Sequence, residues 1–212
     1  MIERKLHITW IGDMSKCPRK LIQTWRDKNP KFEFKLWDND AVFGRKWVNS
    51  KRIQEAADWN GKADIIRYEI LYRYGGILVD ADSQCLQAIP ERFLQSEDSW
   101  VGLENETCRG DLLAAGYMGS AEGGKFVAKC IKRIYDTPHD PKRMSWEQYG
   151  PGLVTQINRE NPGLIDVYRS HYFCPMHYTG IPSPTLKGLE QEVIANQCWA
   201  STFQSYGNPE WQ

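Results

Sequence analysis

The sequence predicts an α/β domain with a mainly parallel central sheet flanked by helices, and three observations carry that prediction. Short apolar, β-rich runs alternate with segments of helical periodicity, an order that gives parallel strands joined by crossover helices. Hydrophobic residues make up 41% and charged residues 25% of 212 positions, the composition of a chain that folds around a core. No repeat, low-complexity tract or Pro/Gly-rich linker interrupts residues 1–212, so a single domain is expected.

Leu6-His-Ile-Thr-Trp-Ile11 is a β-rich run closed by Gly12-Asp13, a turn pair. Pro18 opens a helix that runs to about Asn29, where Pro30 stops it. Phe32 to Trp37 alternates charged and apolar residues and reads as a second strand. Gly61 to Tyr74 has helical periodicity and ends at Gly75-Gly76, a helix-stop pair. Ile77-Leu-Val79 then forms an apolar strand that leads straight into Asp80-Ala81-Asp82. Further strands are expected at Trp100–Leu103, Tyr117–Gly119 and Leu164–Tyr168, and helices at Lys125–Tyr135 and Gly152–Arg159. Open sheets of this kind bind ligands beyond the carboxyl ends of their strands, and Asp80–Asp82 lies at such an end.

Composition excludes several classes. The 27 Lys and Arg balance 27 Asp and Glu, so a uniformly basic surface built for nucleic acid is ruled out. The balance is uneven along the chain: residues 1–52 hold 13 Lys/Arg against 6 Asp/Glu, net +7, and residues 53–212 are net −7. A basic segment of that size suits phosphates, whether of DNA or of a nucleotide. Met1–His7 has no apolar signal-like core and nowhere do 18 apolar residues run together, so neither secretion nor a membrane span is expected. The six cysteines form no Cys-x-x-Cys pair and read as reduced thiols of a cytoplasmic protein. His7, His139, His171 and His177 have no metal-ligand spacing. The glycine motifs of P-loop, dinucleotide-binding and α/β-hydrolase folds are absent.

Asp80 and Asp82 are taken as alternate residues of an extended segment, which places two carboxylates on one side. Hard oxygen ligands of that kind suit Mg²⁺ or Mn²⁺ with coordination positions left for a diphosphate. With 13 Asp in 212 residues, chance alone supplies roughly 0.8 Asp-x-Asp triplets, so position has to decide. Asp38-Asn39-Asp40 follows Trp37 in a polar turn, where such residues are favoured anyway, and is read as structural. On the preceding helix Asp64 and Arg67 stand three apart and share a face with Leu71, so they can act at one spot.

The stretch Ala63-Asp-Ile-Ile-Arg-Tyr-Glu-Ile-Leu-Tyr-Arg-Tyr-Gly-Gly-Ile-Leu-Val-Asp-Ala-Asp82 resembles the core motif of glycosyltransferase family 32, the sugar-binding region containing DXD. It is similar, more remotely, to the catalytic domains of clostridial glucosylating toxins. Weaker likenesses extend over most of the chain: Leu6–Gly12, Trp25 with Pro30 and Trp37-Asp38, Tyr149-Gly-Pro151, and Tyr172-Phe-Cys-Pro175. The resemblance implies a GT-A fold, a nucleoside-diphosphate sugar (UDP-sugar favoured, GDP-sugar the alternative), a divalent cation, Mn²⁺ or Mg²⁺, and retention of anomeric configuration. By carry-over, Asp80 contacts ribose and metal, Asp82 ligates the metal, and Asp64 and Arg67 hold the donor sugar and phosphate. Ile8 and Trp10 of the opening strand would bind the nucleoside, Trp10 against the base. Two departures stand out. Leu78 replaces a Tyr that many members carry two residues before the first Asp, and Gln197-Cys198 replaces a late His pair. Asn196, Gln197 and Cys198 are therefore the candidates for a further metal ligand.

The expected reaction moves a hexosyl group to an acceptor hydroxyl, with a bacterial surface saccharide favoured by the family. The runner-up acceptor is DNA bearing a hydroxymethylated base, which would require base flipping. A catalytically inactive sugar-nucleotide-binding module is disfavoured because Asp64, Arg67, Asp80 and Asp82 are all present.

Overall fold

The computed structural model describes residues 1–212. The chain runs β1 (Lys5–Thr9), α1 (Arg19–Lys28), β2 (Glu33–Trp37), α2 (Asn39–Phe43), α3 (Ser50–Glu55), α4 (Trp59–Tyr74), β3 (Gly76–Val79), β4 (Ser83–Cys85), β5 (Ser99–Leu103), α5 (Glu106–Arg109), β6 (Leu113–Ser120), α6 (Lys125–Asp136), α7 (Ser145–Gln148), α8 (Pro151–Glu160), β7 (Asp166–Tyr168), β8 (Ala195–Gln197) and α9 (Ala200–Phe203), with short 3-10 turns between. Six strands form one sheet in the order β2-β1-β3-β6-β5-β7, and β4 and β8 pair in a small antiparallel ribbon. β1 is parallel to β2 and β3, and β5 is parallel to β7. β6 alone runs against its neighbours. The carboxyl ends of β1, β3 and β5 therefore meet at one edge with the amino end of β6.

Strand alternation divides the core between the two faces. Leu6, Ile8, Ile77 and Val79 point to the face covered by α1 and the aromatic group Trp25, Phe93, Trp100 and Phe173. Leu78 faces the other side, against Ile65, Ile66, Tyr68 and Leu71 of α4 and the apolar residues of α6 and α8. α4 is buried on every side from Asp64 to Leu71, charged residues included, because it is a core helix packed on α3, α6, α7 and the sheet. Asp58 caps its start by accepting from Gly61 N at 2.6 Å, and Gly75, at φ +62°, ends it. No helix is long and apolar enough to cross a membrane.

The expected strands and helices are present, with differences that have physical causes. β1 ends at Thr9 rather than Ile11, because Gly12 at φ +104° turns the chain and Asn39 holds it there through two hydrogen bonds of 2.8 and 2.9 Å. α2, α3, β4 and β8 were not expected, since three to six residues are too short to show a period. β6 is eight residues long where only Tyr117–Gly119 was expected, and antiparallel where a parallel strand was the default. Its Ala114, Ala115 and Gly116 are poor strand formers by composition. Asp38 acts structurally, as read from sequence, by capping α2 on Ala41 N at 2.9 Å.

His7 shows how tightly the β1–α4 seam is specified. Trp37 Nε1 can only donate, so His7 Nδ1 accepts it at 3.2 Å and His7 Nε2 carries the hydrogen that bonds Gly75 O at 2.9 Å. The ring is buried and neutral; burial lowers its pKa from 6.5 to about 4. A lowered folded-state pKa gives stability that is complete above pH 6.5 and lost as pH falls toward 4. Wild type should therefore lose about 3 kcal/mol more than His7→Gln between pH 7 and pH 4. Denaturant unfolding at the two pH values measures this, and parallel losses would contradict it.

Candidate active site

Two elements bring the acidic residues together. β3 delivers the chain to the sheet edge, and residues 80–82 leave it in a turn rather than continuing the strand. The expectation that extended alternation aligns Asp80 with Asp82 is corrected here, because the turn, not the pleat, sets their direction. Ser83 Oγ donates to Asp80 O at 2.6 Å and fixes that turn, and Trp25 Nε1 donates to Ser83 O at 3.1 Å from the core. Asp82 is buried and holds the late segment of the chain: Oδ2 accepts from Ala200 N at 2.8 Å, Oδ1 from Gln197 Nε2 at 3.2 Å, and its carbonyl from Cys198 N at 2.9 Å.

α4 contributes the second group. Arg67 Nη2 lies 3.2 Å from Asp64 Oδ1 and 3.0 Å from Asp80 Oδ1, and Nη1 donates to Ala115 O on β6. One guanidinium is thus shared by two carboxylates while Asp82 stands beside them. Burial, countered in part by Arg67, pushes the Asp64 carboxyl up to about 7. Burial and the Asp80 charge push Asp82 up to about 6. Arg67 Nε and Thr9 Oγ1 are buried at this site without a protein partner.

Two glycines make room for these carboxylates. A Cβ on Gly116 of β6 would lie 2.9 Å from Asp80 Oδ1 and closer still to Oδ2. A Cβ on Gly150 would similarly overlap Asp64 Oδ2. Neither glycine has a positive φ, so side-chain volume rather than backbone freedom explains them.

All four acidic and basic candidates line one cleft of about 470 Å³, a size suited to a small ligand. At one end Trp10, with Tyr206 edge-on to it at 5.4 Å, stands near Asp13 and Lys16. Trp59, packed on Gly12, and Trp146 form aromatic walls. Four Asp against one Lys and one Arg leave the lining acidic. Trp10 is therefore in the cleft as expected, but Ile8 is not: its side chain is fully buried in the core on the α1 face. Strand alternation explains this, since only residues at and beyond the strand end reach the edge.

The third-ligand candidates divide as well. Gln197 lines the cleft, whereas Asn196 and Cys198 do not. Gln197 turns its amide nitrogen to Asp82 because Tyr117 OH donates to its oxygen. Burial pushes the Cys198 thiol up to about 11, which keeps it a protonated thiol. No cluster of three His, Cys, Asp or Glu forms a metal cage. Sequence reading missed Gly116, Trp59, Trp146 and Tyr206; only the Gly150-Pro151 pair carried a local signal near the site.

Residues 16–102 match the family described as "Glycosyltransferase sugar-binding region containing DXD motif". The match covers about two fifths of the chain and includes Asp64, Arg67, Asp80 and Asp82. Among curated relatives, "Inositol phosphoceramide mannosyltransferase 3" of Schizosaccharomyces pombe is 24% identical over 142 residues, covering 63% of this chain and 37% of the relative. The chain thus spans little more than a third of that relative's length. Two solved structures share its fold. "PaToxG Glycosyltransferase" superposes with a TM-score of 0.56 at 16% identity, covering 76% of this chain and 71% of the other. The "UDP-bound glycosyltransferase domain from the YGT toxin" gives 0.54 at 10% identity, covering 92% and 82%. The fold is accordingly GT-A, α/β with a mostly parallel sheet flanked by helices.

Proposed function

We infer that this glycosyltransferase is a metal-dependent, retaining hexosyltransferase that uses a nucleoside-diphosphate sugar, UDP-sugar favoured over GDP-sugar, and a saccharide acceptor of the bacterial-surface type. One observation carries the reading: Asp80 and Asp82 meet at the sheet edge in a cleft with four carboxylates and only two cationic side chains. Such an excess disfavours the charged carboxylates, as the raised Asp64 and Asp82 pKa values express, and a divalent cation offsets it. The donor set fits Mg²⁺ or Mn²⁺: oxygen ligands from two neighbouring carboxylates, with the rest of the shell left for phosphate oxygens. Asp80 and Asp82 would hold the cation; Asn196, Gln197 and Cys198 supply no oxygen beside them in this arrangement. When bound, the ion stabilises negative charge on the leaving diphosphate.

The chain's own residues do the rest. Transfer breaks the bond from anomeric carbon to diphosphate oxygen, forms one to the acceptor oxygen, and releases the acceptor's hydroxyl proton. Arg67, held by Asp64 and Asp80, faces the growing phosphate charge from a fixed position. Trp10 and Tyr206 offer ring surface to the base. Burial of Asp64, Arg67 and Asp82 keeps those charges out of water, while Asp80 is open to the cleft. The six cysteines are all free, which suits the reducing cytoplasm where we place the reaction.

The DNA-acceptor reading draws less support than the charge asymmetry suggested. Of the basic residues in 1–52 only Lys16 lines the cleft. Arg4, Lys51 and Arg52 are paired to Glu91 and Glu55, and others lie on α1 and edge strand β2. Nucleotide sugars offered with Mn²⁺ to simple saccharides and to hydroxymethylated duplex DNA, with products read by mass and anomeric proton coupling, test the proposal. A glycosylated saccharide of retained configuration is expected, abolished by EDTA. Full transfer in EDTA, an inverted product, or glycosylation of DNA alone would overturn it.

A further inference from the structure

One residue of the cleft lining, Trp146, leads into a wall, a contiguous set of side chains outside that lining which the reading above does not use. Trp146 of α7, 36% exposed, lines the cleft, and the Arg109 guanidinium lies 5.4 Å from its ring. Arg109 Nε is 3.4 Å from Glu104 Oε1, and His177 Nε2 is 3.3 Å from the same oxygen. His177 in turn packs edge-on against Trp199 at 5.5 Å, next to Ala200, whose N–H holds Asp82. The wall therefore starts at the cleft lining and ends at the second Asp of the Asp-x-Asp turn.

Its position follows from topology. Glu104 is the first residue beyond β5, at the same sheet edge as Asp80 beyond β3. Buried Cys174 senses both: its thiol is pushed up by burial first, then by the charges of Glu104, Asp80 and Asp82. The wall borders the acidic group, since a Cβ on Gly150 would touch both Asp64 and, at 3.3 Å, Trp146 Cα, and on the reading above the transferred sugar's reacting carbon lies at that group.

Its chemistry is equally specific. Trp199 is held at φ 54°, a left-handed conformation costly for a bulky residue, by the backbone bonds of Cys198 and Ala200 to Asp82. That conformation leaves its indole beside His177 and Tyr178, partly exposed. Arg109 lies against Glu104 by Nε, and its two Nη groups make no hydrogen bond to the protein. Glu104 is fixed from two sides and nine-tenths buried, so its carboxylate is presented in one orientation. Partly exposed indole faces, free guanidinium donors and a pinned carboxylate acceptor are the groups that recognise a sugar ring, by stacking and by hydroxyl hydrogen bonds. Arg109 and Glu104 cancel in charge, which gives a polyanion no purchase.

We propose that Glu104, Arg109, Trp146 and Trp199 form the acceptor subsite and that it takes a neutral saccharide. The inference rests on the donor reading, and the experiment separates the two. Side-chain indole NMR resonances, assigned with Trp10→Phe, Trp146→Phe and Trp199→Phe, are followed during titration with UDP and Mn²⁺, and then with methyl α-mannopyranoside, methyl β-galactopyranoside and maltotriose. UDP should move Trp10, and at least one glycoside should move Trp146 and Trp199 saturably. In Arg109→Leu the glycoside dissociation constant should rise at least about tenfold, the size of one lost charge-assisted contact, while Arg109→Lys should recover part of it. Failure of UDP to move Trp10 would overturn the donor reading. Normal UDP shifts with no glycoside response at Trp146 or Trp199, or glycoside binding indifferent to Arg109→Leu, would overturn the acceptor subsite alone. A duplex DNA oligonucleotide that moves these two indoles where the glycosides do not would overturn it too.

Discussion

Asp82→Asn should reduce glycosyl transfer at least about 10³-fold while leaving the protein as stable as wild type or more so. The two effects have one cause. In the folded chain Asp82 is charged at neutral pH although burial and Asp80 both oppose that charge, raising its carboxyl from 3.8 to about 6. A carboxyl raised in the folded state costs stability as pH climbs from 3.8 through 6, and above that the cost is up to about 3 kcal/mol. Asparagine removes the charge and keeps an oxygen for Ala200 N; its NH2 then faces Gln197, whose amide has to turn over to accept it and donate to Tyr117 OH, and with that turn the hold on the late segment survives. What it removes is the negative ligand on which the proposed metal role depends. Asp80→Asn should be as inactive but should gain less stability, because Asp80 already shares Arg67 with Asp64. Product mass and thermal unfolding with and without Mn²⁺ check all of this: the Mn²⁺-induced rise in Tm should vanish in both variants. Transfer by Asp82→Asn within tenfold of wild type would refute the assignment.

How much of this was legible in the sequence depends on the range of the interaction. β3 and α4 were readable because local signals set them: an apolar run, a Gly-Gly stop, and a three-residue spacing that put Asp64 and Arg67 on one face. The place of Asp80–Asp82 at the end of that strand was readable, but the turn they make was not. Ile8 was misplaced because a likeness to a whole segment does not say which alternate residues point inward, and strand parity sends Ile8 to the core. Asn196, Gln197 and Cys198 could not be resolved from one another. Their order is set by pairing with β4 and by Tyr117, some 80 residues away, which claims the Gln197 oxygen. The acceptor-side wall was invisible for the same reason: Glu104, Arg109, Trp146, His177 and Trp199 meet only after five elements have packed. The charge asymmetry was real in sequence but is dispersed by the fold over α1 and β2, so it forms no basic cleft.

Gly116→Ala should cut transfer by at least about 100-fold with little loss of secondary structure, the cost expected when a catalytic group is displaced by about an ångström. The added Cβ cannot coexist with Asp80 where it stands, being 2.9 Å from one carboxylate oxygen and nearer the other. Gly116 lies in an irregularity of β6 and has no register partner itself, but Ala114 is paired to Gly102, Tyr117 to Val79, and Ala115 O accepts from Arg67, so the backbone is held on both flanks and the side chain of Asp80 must yield. When it yields, its 3.0 Å pairing with Arg67 goes, and with it the geometry of both proposed phosphate-side groups. Substituting Ala for Gly in a strand is otherwise mildly favourable, so unfolding would not explain the loss. Gly102→Ala, one strand away on β5, is the matched control: its Cβ would meet Phe173 at 3.5 Å, an ordinary contact, and activity should stay within about threefold. If Gly116 acts through Asp80, then Gly116→Ala should cost almost nothing further in an Asp80→Asn background, where the carboxylate is already lost as a ligand. Additive losses in the double variant would mean that Gly116 serves some other contact in the cleft, and equal losses at Gly102 would mean that the sheet, not the carboxylate, is what the methyl group disturbs.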